Sequence, residues 1–220
     1  MNKLHLGDCL EILPELPENS VELVVTDSPY RTISGGHHQG KGQPCGILEK
    51  NDGRLFRYND ISFRQWLPLV YRVMKPKSHI YVMVNSLHLC ELISEMENIG
   101  FKVHNILVWE KNNCTPSRWY MKNCEFVVFA RKWSAKQINN CGSKAVHRFN
   151  NVVGNKVHPT EKPVELMKYY IENSSEEGQT VLDPFMGSGS VGSACKELGR
   201  NFIGIEIDEE YYKIAKERIG

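Results

Sequence analysis

The sequence predicts an α/β fold, a mostly parallel sheet covered by helices on both faces. Three observations carry this. Short apolar runs alternate with amphipathic helical segments along most of the chain. The stretch "TVLDPFMGSGSVGSA" (180–194) reads as strand, glycine turn and helix. A second apolar run, "VELVVT" (21–26), leads straight into an acid and a proline, as strands bordering the crevice of an open sheet do.

The elements follow in order. "KLHL" (3–6) is a strand, and "DCLEILPEL" has helical spacing closed by Pro17. After the strand at 21–26, residues 31–60 are rich in Gly and expected to form a mobile loop, since so long an irregular stretch in a compact domain is usually functional. "SFRQWLPLVYRVM" (62–74) is a helix, "HIYVMVN" (79–85) a strand, and "LHLCELISEMENIG" (87–100) a helix stopped by Gly100. "VHNILVWEK" (103–111) and "CEFVVFARK" (124–132) are two strands expected to pair antiparallel. Residues 133–157 are polar and irregular. A helix over 163–174 starts on Pro163, a favoured first helical position. A strand (180–185), a helix (188–199), a strand (201–208) and a helix (209–219) close the chain.

At 220 residues the chain suits a single domain over 1–220. No apolar run is long enough to span a membrane, and the N-terminus is expected not to be a secretion signal. The seven cysteines are odd in number and contain no C-x-x-C pair, which argues against a disulfide framework or a metal site and for reduced thiols in the cytoplasm. Net charge is +1, but residues 111–168 hold eleven Lys/Arg against three Asp/Glu, while 1–30 hold one against six. A basic middle between acidic ends points to a polyanion partner over one segment.

The glycine turn has the spacing Gly187-x-Gly189-x-x-Gly192, and Glu206 ends the next strand nineteen residues after Gly187. That is where a carboxylate takes ribose hydroxyls. No Gly-Lys-Ser/Thr follows, so it is not a phosphate P-loop. Asp183, four residues before the turn, would repel a pyrophosphate and attract an ammonium or sulfonium. S-adenosyl-L-methionine carries both cations and a ribose, and is favoured over NAD.

Asp27-Ser28-Pro29-Tyr30 ends the other strand. Asp27 and a backbone carbonyl beside Pro29 can accept hydrogen bonds from an exocyclic amine, and Tyr30 offers a face for a planar base. A base inside a duplex is out of reach and would have to be flipped out.

These residues resemble a known family. "DSPY" is similar to the catalytic [D/N/S]-P-P-[Y/F/W] motif of DNA amino-methyltransferases, the N6-adenine and N4-cytosine enzymes. "DPFMGSGSVGSA…LGRNFIGIEID…YYKIAKERI" resembles their cofactor block, and "HPTEKPVELM" (158–167) the motif that precedes it. The catalytic motif comes first and the cofactor motif last, the circularly permuted order of the β-class. The resemblance implies a Rossmann-like methyltransferase sheet, mostly parallel with one antiparallel hairpin strand. It implies that Asp183, Phe185, Gly187, Ser188 and Gly189 surround the methionine part of S-adenosyl-L-methionine, that Glu206 holds the ribose, and that Asp8 lies near the adenine amine. His158, Thr160 and Lys162 would close the site, and Asp27, Ser28, Pro29 and Tyr30 would hold the target base. The product would be S-adenosyl-L-homocysteine. One departure is Ser28, where the family usually has proline. Asp at the first motif position usually accompanies adenine and Ser cytosine, so N6 of adenine is favoured and N4 of cytosine is the alternative. An inactive relative that binds DNA or a partner is a second alternative, and methylation of RNA or a protein glutamine fits the motif order less well.

Double-stranded DNA is the expected partner, with Arg31, Lys111, Arg118, Lys122, Lys136, Lys144 and Arg148 as phosphate contacts. Trp119, Tyr120, Trp133 and Phe149 interleave with them, and Asn139, Asn140, Asn150 and Asn151 could read adenine edges. Residues of about 133–157 would form a small target-recognition insert, short enough to suggest a brief site or a homodimer. A restriction enzyme is an optional partner, and a prokaryotic or phage-like cytoplasm, near the nucleoid, is the expected location.

Overall fold

A computed structural model describes residues 2–29, 58, 60–115, 119–134, 136–152 and 161–220. Eight strands form one sheet in the order β1-β8-β7-β2-β3-β5-β4-β6. They are β1 (Asn2–Leu6), β2 (Val21–Asp27), β3 (Met74–Val84), β4 (Phe101–Thr115), β5 (Lys122–Lys132), β6 (Val146–Arg148), β7 (Thr180–Asp183) and β8 (Asn201–Glu206). β5 runs antiparallel to both its neighbours, β3 and β4, and every other pairing is parallel. The expected single antiparallel hairpin strand is therefore β5.

The helices are α1 (Cys9–Ile12), α2 (Phe63–Val73), α3 (Leu89–Ile99), α4 (Val164–Ser174), α5 (Ser190–Glu197) and α6 (Glu209–Ile219). Strand alternation decides which helix covers which face. Val24, Ile80, Val82 and Val128 point to one side and pack with Trp66, Leu67 and Val70 of α2 and Leu92 and Met96 of α3. Leu23, Val25, Tyr81, Met83 and Val127 point to the other and pack with Leu166, Tyr170 and Ile171 of α4, Val191 and Ala194 of α5, and Ala215 and Ile219 of α6. Both faces are buried, so the central strands read as continuous apolar runs.

The parallel register sets the position of the site. Residues 23 and 24 of β2 lie opposite 181 and 182 of β7. After β2 the chain moves outward to β3, and after β7 it moves the other way, to β8. The boundary between β2 and β7 is thus a topological switch point, where open α/β sheets form their ligand crevice at the carboxyl ends of the strands.

Several boundaries differ from expectation. β3 begins at Met74, directly after α2, because the chain bulges between its pairing at Val21 and at Leu23. Pro163 is the N-cap of α4, in an extended conformation, rather than its first helical residue. β6 lies inside the stretch expected to be irregular. It pairs parallel with β4, but only His147 of its three residues is buried, so it has no apolar alternation to read.

Gly192 of α5 shows how closely the cofactor-block helices pack. A Cβ there would stand 2.8 Å from Phe202 Cε1 and collide with the Ile219 side chain. Gly192→Ala gains helix propensity but overpacks this contact, and a net loss of about 1–3 kcal/mol is expected. Thermal denaturation checks it, and the double variant with Ile219→Ala should lose less than the sum of the two single losses.

Candidate active site

Three strand ends carry acids to one edge of the sheet: Asp27 on β2, Asp183 on β7 and Glu206 on β8. Asp183 is buried, and its Oδ1 accepts from the Thr26 hydroxyl at 2.7 Å and from the Phe185 N–H at 3.1 Å. The first of these bonds joins the ends of β2 and β7, so the 27–29 and 183–189 segments open onto the same side. Burial lifts the Asp183 carboxyl to about 7, against the bonds from Thr26 and Phe185, and the negative charges of Asp27 and Glu206 push the same way.

The glycine turn sits above this acid. Gly187 (φ +52°) and Gly189 (φ +83°) both take left-handed backbone, which favours glycine. A Cβ at 187 would meet nothing within 4 Å, so this point of the turn borders open space, whereas one at 189 would press on Ile219 and Ala215 of α6. Glu206 Oε2 accepts from the Gly187 N–H and Oε1 from the Asp208 N–H, each at 2.8 Å. Burial raises the Glu206 pKa, and these backbone donors hold it back. Phe185 packs edge-on against Trp66 of α2, with ring centroids 5.2 Å apart. Ser188 is buried, and its carbonyl accepts from Arg218 of α6, which also holds Glu161 at 2.8 Å. Asp8 caps α1, accepting from the Leu10 N–H at 2.8 Å, just past the end of β1.

Lys162, in the segment before α4, reaches across to β2. Its ammonium donates to Asp27 Oδ2 at 2.5 Å and lies 3.5 Å from Glu125 Oε2 on β5. Glu125 Oε1 is 3.1 Å from Lys111 Nζ on β4. Burial raises the Asp27 pKa, Lys162 opposes the rise and Glu125 adds to it. For Glu125 the rise from burial is outweighed by Lys162 and Lys111, and its pKa is lowered. Ser28 is buried, with its hydroxyl turned to the Met83 carbonyl of β3 at 3.5 Å. Pro29 lines a cleft with Asp60, Phe63 and His88.

The structure therefore brings together Asp27, Lys162, Asp183, Phe185, Gly187, Ser188, Gly189 and Glu206. Tyr30, Arg31, Arg118, His158 and Thr160 lie outside the described residues, as does most of the 31–60 loop. Sequence reasoning missed Thr26, Glu125, Glu161 and Arg218. Only Glu125 left a signal, as the lone acid of an otherwise apolar strand with basic ends.

The expected DNA contacts divide. Lys122 and Arg148 stand at the same end of the sheet as Asp27, exposed, with Arg148 bound to Glu110 at 2.7 Å. Trp119 and Tyr120, beside Lys122, are also exposed. Lys111 is mostly covered and spends its ammonium on Glu125, which corrects its assignment to phosphate. Lys136 is exposed but stands away from that end. Its carbonyl bonds His79 Nε2, and His79 lies four residues, about 13 Å, down β3 from Met83, the partner of Asp27. Asn139 spends its amide on the Glu172 and Ser175 carbonyls at the end of α4, so it reads no base edge. Lys144 is exposed, and its carbonyl accepts from the Tyr169 hydroxyl of α4 at 3.3 Å.

A family model described as DNA methylase matches residues 21–217. The chain belongs to the DNA methylase family. Similar proteins include the type II methyltransferase M2.DpnII of Streptococcus pneumoniae, 29% identical over 99% of this chain and 90% of that one. M2.LlaDCHI of Lactococcus lactis subsp. cremoris is also 29% identical, over 97% and 87%. Among solved structures, the M1.HpyAVI–SAM complex is 27% identical with a TM-score of 0.74, covering 99% of this chain and 100% of that one. The cytosine-N4-specific PvuII DNA methyltransferase shares the fold, with a TM-score of 0.78 at 19% identity over 100% of this chain and 86% of that one. The sheet is thus that of the S-adenosylmethionine-dependent DNA methylases, and the chain is an enzyme of that class. The residues present fit the cofactor. The charges that reach Asp183 most strongly are negative, which suits a cationic ligand, and Gly187 leaves the turn open to one. Among the described residues, no group of acids, His and Cys could hold a metal, and no helix is long and apolar enough to cross a membrane.

Asp183 sets a pH dependence. The folded chain holds its proton up to about pH 7, and the unfolded chain releases it near 3.8. This group therefore stabilises least at high pH, and its contribution is lost as pH rises from about 4 to 7. Asp183→Asn should gain melting temperature relative to the parent across that window, as read by calorimetry without cofactor. A constant difference would contradict the burial argument.

Proposed function

We propose that the chain transfers a methyl group from S-adenosyl-L-methionine to N6 of an adenine flipped out of double-stranded DNA. The observation that carries this is the shared edge: Asp27, the candidate amine acceptor, stands beside the Asp183–Gly189 turn, joined to it through Thr26. In this reading Asp183 and the 185–189 turn hold the methionine end, Glu206 the ribose and Asp8 the adenine end of the cofactor, with His158, Thr160 and Lys162 closing the site. The cofactor supplies an electrophilic methyl group on a sulfonium.

The chain's own residues do the rest. Lys162 occupies Asp27 Oδ2 and leaves Oδ1 to accept an N–H of the amine. That bond turns the nitrogen lone pair out of the ring plane and raises its nucleophilicity. Pro29 has no N–H, so it offers a carbonyl without a competing donor. Tyr30 would stack on the base. The amine proton leaves to water once the nitrogen is methylated. Adenine is favoured over cytosine because an acid, Asp27, holds the first motif position, and the Ser28 hydroxyl that follows it is turned back to β3.

Lys122 and Arg148, with the exposed Trp119 and Tyr120, are the proposed DNA face, and Arg31, Arg118 and Lys144 would add to it. The whole chain would act as one methyltransferase domain. The type II relatives support a place in restriction–modification, with a cognate restriction enzyme as partner, and the short insert supports a homodimer on DNA.

Labelled-methyl transfer to duplex DNA, followed by single-molecule sequencing, tests the proposal. N6-methyladenine at one sequence is the expected product. N4-methylcytosine would overturn the base assignment, and cofactor binding without any methylated base would make the chain an inactive relative. Asp27→Ala should lower turnover by roughly 100-fold or more while the cofactor Kd stays within about threefold. Cofactor binding should also weaken below about pH 7 and release a proton, because a cation favours the ionised form of Asp183. Calorimetry in two buffers of different ionisation enthalpy reads that proton.

A further inference from the structure

Asp27, Lys162, Glu125 and Lys111 form a chain of alternating charge drawn from β2, the segment before α4, β5 and β4. Lys162 and Lys111 keep only 11% and 14% of their side-chain exposure, so neither charge is balanced by water alone. Glu125 pairs across the ladder with the buried Trp109, which places it beside Lys111 on one sheet face. Its two oxygens then serve different cations, Oε1 facing Lys111 and Oε2 facing Lys162. A residue needed only to neutralise Lys111 would have no reason to reach Lys162.

We propose that Glu125 is a positioning residue that shares the Lys162 ammonium with Asp27 and so keeps Asp27 Oδ1 a strong acceptor for the substrate amine. The inference rests on the methyl-transfer reading above. Lys162 alone with Asp27 would withdraw charge from the whole carboxylate. Drawn partly toward Glu125, it fixes one oxygen and leaves the other electron-rich. The groups facing Asp27 are Lys162, Glu125 and, beyond Thr26, Asp183 of β7. Those facing Glu125 are Lys162, Lys111 and the buried Tyr170 phenol of α4. Loss of the Glu125 charge removes a negative neighbour of Asp27 and leaves more of Lys162 to it, and both make Asp27 a weaker base.

The test uses Glu125→Gln and the double variant Glu125→Gln/Lys111→Met, which removes one charge of each sign and strands no cation. The double variant carries the decision if the single one fails to fold. Carboxyl carbon-13 NMR should show Asp27 titrating at lower pH than in the parent. On DNA, kcat should fall roughly tenfold with KM and cofactor Kd unchanged, and the acid limb of the kcat profile should move down in pH. A folded double variant whose Asp27 titration or kcat stays at the parent value overturns the role. If the parent itself methylates no DNA, the proposed function falls, and the Asp27 titration alone still decides whether Glu125 governs that carboxylate.

Discussion

The hydrogen bond from Thr26 to Asp183 is the constraint on which the site depends. It joins the ends of two strands that are far apart in the chain and adjacent in the sheet. Both groups are buried, so neither can exchange the bond for water, and its loss would leave a desolvated carboxylate one bond short. Through it the positions of Asp27 and of the 183–189 turn are set by sheet register rather than by loop conformation. Parallel pairing then fixes which edge they share.

The acids at this edge are balanced unequally. Asp27 has a counter-charge of its own in Lys162, and Glu125 and Lys111 continue the alternation across β5 and β4. Asp183 and Glu206 have backbone N–H groups and a hydroxyl, and the main charges they feel are negative. The fold thus keeps one half of the crevice neutral and leaves the other half short of positive charge. Under the proposed assignment the deficient half takes the cationic cofactor and the balanced half the neutral base. The lifted Asp183 pKa is the energetic trace of that division. A site made only for stability would have paired this acid or replaced it with an apolar residue.

Much of this was legible in the sequence where local chemistry fixes position. The glycine turn, Asp183 and Glu206 are read from spacing, because a strand, a tight turn and a helix permit few arrangements. Ser28 and Asp27 are read from an abrupt change of polarity at a strand end. Thr26 was not legible, since a threonine inside a β-branched run looks like any other strand residue until its neighbour is known. Lys111 was misread, and the place of Lys136 was hidden, for a related reason. A basic residue in a basic segment suggests a polyanion, but Lys111 meets Glu125 only once β4 and β5 pair, and the bond to His79 places the Lys136 backbone beside the middle of β3 rather than at the Asp27 end. Composition reports how much charge a segment has, while topology decides where each charge goes.

Ser28 bears on how strictly the motif must be proline-rich. A proline at that position would fix φ and remove a donor, both of which stiffen the turn after β2. Serine gives up that stiffness, and the structure supplies two substitutes. The side chain is 2% exposed and its hydroxyl reaches the Met83 carbonyl, tying the turn to β3. Asp27, one residue earlier, is held by Lys162, which Glu125 steadies from β5 and which follows Glu161, itself held by Arg218 of α6. Rigidity that proline would build into the backbone is replaced by side-chain contacts from neighbouring elements. Under the proposed assignment the requirement is a fixed carboxylate beside a carbonyl with no competing donor, and Asp27 with Pro29 would meet it without a second proline.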